Sequence, residues 1–94
     1  MALTKPIRVL IADDHQLFRN GIVSLFEDVP DILIVGEAEN GFQTLEKFNQ
    51  LQPDVIILDI SMPDMNGFET LEQMQKANNL VKVIFLSIDR KSVV

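Results

Sequence analysis

Two hydrophobic rhythms alternate along this chain. Short, nearly continuous apolar runs recur, and each is followed by a longer stretch whose apolar residues come every three or four positions. Runs of the first kind fit strands buried on both faces of a sheet, and stretches of the second kind fit amphipathic helices. Residues 7–12 form the first run, ending at Asp13 and Asp14. The helix predicted after them carries Leu17, Phe18, Gly21, Ile22, Leu25 and Phe26 on one stripe, and the segment around Pro30 breaks it. Residues 32–35 read as a second strand and residues 36–41 as a turn. A second helix, from about Phe42 to Leu51, places Phe42, Leu45 and Phe48 on one side. It ends at Gln52, because a residue before proline disfavours the helical region. Residues 55–58 form the third run, closing on Asp59. A third helix, from about Gly67 to Ala77, is expected to bury Phe68, Leu71 and Met74, and Asn78 and Asn79 stop it. Residues 81–86 form the last run and deliver Ser87 at its carboxyl end.

The order βαβαβαβ with short connections predicts an α/β fold: a doubly wound parallel sheet with right-handed crossovers and helices on both faces. No repeat, linker or low-complexity stretch divides the 94 residues, so the chain reads as one unit. In open sheets of this type ligands sit outside the carboxyl ends of the strands. Asp13, Asp14 and Asp59 stand at that edge.

Charge narrows the class. Eight basic against fourteen acidic residues give a net charge of −6, which argues against a nucleic-acid surface or an anionic membrane surface. The absence of cysteine removes disulfides and thiolate metal sites, as suits a reducing compartment. The amino-terminal residues lack the apolar core of a signal peptide, and no apolar run approaches the roughly 20 residues that cross a bilayer. A cytoplasmic location with no membrane contact is expected.

Three carboxylates within a few ångströms cannot all stay ionised without a proton or a cation between them. Hard oxygen donors without paired His or Cys favour Mg²⁺, which is commonly held by one or two carboxylates plus a phosphate. A carboxylate can also be the nucleophile in phosphoryl transfer. Asp59, at the centre of the sheet, is the best-placed acceptor, and Asp13 and Asp14 read as metal holders. The carbonyl of Ser61 lies within reach of the ion, and the Ser87 hydroxyl within reach of a phosphoryl oxygen. Each assignment has a plainer counterpart: Asp13 or Asp14 as a helix N-cap, Asp59 as an acid capping the next turn, Ser87 as a strand-end hydroxyl. His15, the only histidine, reads as a first-turn surface residue, and Met62, Met65 and Met74 as packing.

The segments Ile11-Ala12-Asp13-Asp14-His15, Ile57-Leu58-Asp59 through Gly67, and Ile84-Phe85-Leu86-Ser87 together resemble the receiver domain of two-component response regulators (CheY-like). Residues 35–41 and 51–55 look most like receivers of the NarL/LuxR type, which carry a DNA-binding domain. The resemblance covers essentially the whole chain. It implies a flavodoxin-like sheet of order 2-1-3-4-5 and phosphotransfer from a sensor histidine kinase to Asp59. It also implies Mg²⁺ held by Asp13, Asp14, Asp59 and the Ser61 carbonyl, with Ser87 as the switch hydroxyl. Any catalysis would then be self-directed, and the chain would not be an enzyme acting on an external substrate.

The match stops short of the family's full length. Most of the fourth helix, the fifth strand with its lysine, the fifth helix and an effector domain are not in the sequence, so a truncated receiver, order 2-1-3-4, is expected. Lys82 and Lys91 read as solvated side chains and not as the missing lysine. The fourth strand, with Val81, Val83, Ile84, Phe85 and Leu86, becomes an exposed edge that invites self-association. DNA would be reached only through the absent domain. A shortened receiver that dimerises or binds partners without phosphorylation is the alternative. A Mg²⁺-dependent phosphatase is disfavoured, because Ser61 occupies the position where that class carries a second acid.

Overall fold

The computed structural model describes residues 5–60, 62, 67–77 and 80–86. Four parallel strands, β1 (Ile7–Ala12), β2 (Ile32–Ala38), β3 (Val55–Asp59) and β4 (Lys82–Leu86), form one sheet in the order β2-β1-β3-β4. Three helices connect them: α1 (Gln16–Phe26), α2 (Gly41–Leu51) and α3 (Gly67–Ala77). The predicted element order and the doubly wound sheet are both present.

Alternation along the strands builds two apolar layers, because successive side chains point to opposite faces. Leu10, Ala12, Ile56 and Leu58 pack with Phe48 of α2 and Met74 of α3. Val9, Ile11 and Ile57 pack on the other face with Ile22 of α1 and the half-buried Phe18 and Phe26. The central strands β1 and β3 contribute to both layers, which explains the continuous apolar stretches at residues 9–12 and 55–58. Met62 joins the first layer as a packing residue.

β2 differs from the sequence reading. It does not stop at Val35 but runs to Ala38, so residues 36–38 are strand and not turn. Val9 pairs with Ile34 while Leu10 pairs with Gly36, leaving Val35 as an extra, bulged residue. A bulge shifts the alternation by one position, which hid the second half of the strand. Gly36 serves close packing: a Cβ there would meet Leu51 Cδ1 at 2.8 Å and Leu10 Cδ1 at 3.4 Å.

The helical stripes are narrower than their periodicity suggests. Leu17 is 86% exposed, Phe42 70% and Phe68 62%, and Leu25 also faces outward. The buried positions are taken instead by Arg19, Thr44 and Thr70. Thr44 satisfies its hydroxyl by donating to the Asn40 carbonyl at 2.7 Å, which lets a small polar residue lie against the sheet. The caps follow local chemistry. Asn40 caps α2 by accepting the Gln43 N–H at 2.8 Å. Gln52 ends α2 in the left-handed region (φ 50°), its N–H donating to the Phe48 carbonyl, with Pro53 next. At α1 the N-cap residue is His15, not Asp13 or Asp14, and its side chain makes no capping bond.

Candidate functional site

The carboxyl edge of the two central strands gathers the acids. β1 and β3 are in register with Ala12 opposite Leu58, so Asp13 and Asp59 are the next residues along on neighbouring strands. Both are buried, Asp13 completely and Asp59 to 4% exposure. β4 flanks them, with Leu86 paired to Asp59 and its carbonyl accepting the Ile60 N–H at 3.3 Å.

Asp13 is held at several points. Its N–H donates to the Ala38 carbonyl of β2 at 2.9 Å, and its Oδ1 accepts the His15 N–H at 2.7 Å. An aspartate side chain that accepts from the backbone two residues on is the aspartate form of a side-chain turn. It bends the chain from strand into helix and fixes the carboxylate at the edge. Asp14 is more open to solvent, and its Oδ1 lies 3.1 Å from His15 Nδ1. Asp13, Asp14 and His15 each offer one ligand atom, all within 4.8 Å of one another.

Two further polar residues complete the surroundings. The guanidinium of Arg19 donates to the Asp13 carbonyl, and its Nε donates to Glu37 Oε1 of β2 at 3.2 Å. The ammonium of Lys47 on α2 donates to the Glu37 carbonyl. Sequence reasoning gave Arg19 no role, since only the apolar positions of α1 were singled out; the structure buries it. Its position three residues before Ile22, on the packed stripe, was the available signal.

The arrangement thus brings Asp13, Asp14 and His15 together and sets Asp59 in register beside Asp13. Ser61 and Ser87, like Pro63, Met65 and Lys91, lie outside the described residues. His15 keeps the surface position expected of it, while the approach of its ring to Asp14 was not anticipated. The donors at the edge are chiefly carboxylate oxygens from β1 and β3, a set that suits a hard divalent cation such as Mg²⁺.

A parallel sheet of order 2-1-3-4 with buried acids closing its two central strands defines a flavodoxin-like α/β protein of the CheY type. Residues 9–94 match the family model of the response regulator receiver domain, and the chain belongs to that family. It is 40% identical over 88 residues to the nitrate/nitrite response regulator protein NarL of Escherichia coli K12, covering 94% of this chain and 41% of NarL. It is 43% identical over 82 residues to the response regulator protein VraR of Staphylococcus saprophyticus, covering 87% of this chain and 39% of VraR. The isolated REC domain of RcsB from Salmonella enterica serovar Typhimurium, solved in the presence of phosphomimetic BeF3⁻, superimposes with a TM-score of 0.83 at 26% identity. That alignment covers 92% of this chain and 64% of the RcsB domain. The chain therefore spans about two-fifths of the length of these curated relatives. Among the described residues no helix is long and apolar enough to cross a membrane.

Proposed function

We propose that this receiver is a Mg²⁺-dependent phosphoacceptor that takes a phosphoryl group from a sensor histidine kinase onto Asp59. The observation that carries the reading is the pair of buried aspartates at the ends of adjacent parallel strands, Asp13 and Asp59. A carboxylate oxygen of Asp59 attacks phosphorus in line. The bond to phosphorus forms as the phosphorus–nitrogen bond of a phosphohistidine breaks, and the imidazole nitrogen keeps the electron pair. Asp13, Asp14, Asp59 and the Ser61 carbonyl would hold Mg²⁺, which when bound neutralises the phosphoryl oxygens. Asp13 enters already oriented by its bonds to Ala38 and His15, so little rearrangement is needed for it to contribute. Ser87 would donate its hydroxyl to a phosphoryl oxygen. The chain modifies itself and turns over no external substrate.

The likeness to NarL, and to an RcsB domain solved with a phosphoryl mimic, supports this reading. It also supports control of transcription through a DNA-binding domain, in the cytoplasm. The test is mass spectrometry of the chain after treatment with acetyl phosphate, with and without Mg²⁺. A Mg²⁺-dependent adduct on Asp59 that is lost in Asp59→Asn is expected; an unmodified protein, or modification elsewhere, refutes the proposal.

One observation favours a second role, self-association. Among the described residues β4 pairs with β3 alone, and it leaves Ile84, Phe85 and the preceding Leu80 exposed. An apolar strand edge pairs readily with another chain.

A further inference from the structure

We infer that Arg19 is a positioning residue for the cation site, holding the Asp13–His15 loop against β2 so that the Asp13 carboxylate is presented beside Asp59. The inference rests on the proposed Mg²⁺ reading and adds a residue to it. Arg19 grips the loop twice. Its backbone N–H donates to the His15 carbonyl at 3.0 Å, closing the first turn of α1, while its guanidinium folds back to the Asp13 carbonyl. The same guanidinium reaches Glu37 on β2 at 3.2 Å, and the Glu37 carbonyl is anchored by Lys47 from α2. The Asp13 N–H is bonded to Ala38, the residue after Glu37. Asp13 is thus tied to β2 on both sides of its Cα, directly through its own N–H and through the buried Arg19 side chain at its carbonyl.

The chemistry requires an arginine. A planar fork can donate to a carbonyl and a carboxylate at once in fixed directions, whereas an ammonium is a point charge without that geometry. The sign of the effect separates positioning from simple electrostatics. A positive charge near a cation site opposes cation binding, so removing it on Coulomb grounds alone tightens Mg²⁺. Removing a geometric support loosens it, and losses of roughly tenfold or more are typical when the groups that orient metal ligands are deleted.

The experiment is calorimetric Mg²⁺ titration of the chain and of its Arg19→Lys, Arg19→Gln and Glu37→Gln variants, with amide hydrogen exchange of His15 measured alongside. Folding of each variant is verified by circular dichroism. Arg19→Lys keeps the charge, and Glu37→Gln, whose lost negative charge weakens Mg²⁺ on Coulomb grounds as well, is judged by the His15 exchange, so the set does not depend on any one variant folding. Weaker Mg²⁺ binding by roughly tenfold in the folded variants, together with faster exchange at His15, is the expected result. Wild type that binds Mg²⁺ while the variants bind it equally or more tightly overturns the role of Arg19 and leaves the cation reading standing. Wild type that binds no Mg²⁺ overturns both.

Discussion

Ala12 and Leu58 face each other across adjacent parallel strands, and each is followed by a buried aspartate. That register turns two separate strand endings into one acidic edge. Placing two buried carboxylates at one sheet edge opposes keeping both charged, and a cation at that edge relieves the repulsion. The same arrangement is the basis of the proposed Mg²⁺ site.

Mg²⁺ is therefore expected to stabilise the protein. At a concentration a hundred times Kd the gain is about 2.7 kcal/mol, visible as a rise in Tm. Asp13→Asn is expected to melt higher than wild type in the absence of Mg²⁺ and to lose the Mg²⁺-dependent rise. Thermal scans with and without the ion check both.

Gly21 and Gly36 predict opposite outcomes. Gly21 lies on α1 with nothing within 4 Å of an added Cβ, so Gly21→Ala is expected to stabilise by about 0.5–1 kcal/mol. Gly36→Ala would push the terminal methyls of Leu51 and Leu10 aside and is expected to cost up to about 1 kcal/mol. Urea denaturation measures both.

Aromatic residues of α2 separate in the same way. Phe48 fills the core beside Leu10 and Ile56, and Phe48→Ala is expected to cost about 3–5 kcal/mol. Phe42, near the start of the same helix, is exposed, and Phe42→Ala is expected to change stability by no more than about 0.5 kcal/mol.

Self-association through β4 is expected to depend on its outward apolar residues. Sedimentation should show concentration-dependent dimers or larger species, reduced in Ile84→Lys, because an edge lysine blocks pairing. A compact monomer at all concentrations rules the edge contact out.

Much of this was legible in the residues themselves. Apolar runs marked β1, β3 and β4 nearly to the residue, and acids at the ends of two runs marked the edge where the buried Asp13 and Asp59 stand. What escaped has physical causes. The bulge at Val35 reset the alternation of β2, and nothing local in Gly36 or Glu37 announces a strand that resumes. Periodicity marked Leu17, Leu25, Phe42 and Phe68 as core because it reports spacing, not how wide a face the sheet covers. Arg19 was not singled out, because its partners, the Asp13 carbonyl and Glu37, come together only in the folded chain.

The central claim is that Asp13 and Asp59 share one cation, and paramagnetic broadening by Mn²⁺ in an amide NMR spectrum tests it most directly. At substoichiometric Mn²⁺, competed away by Mg²⁺, the amides at the ends of β1 and β3 are predicted to broaden together. Broadening scattered over the surface acids, or persisting unchanged in either Asp13→Asn or Asp59→Asn, would contradict it.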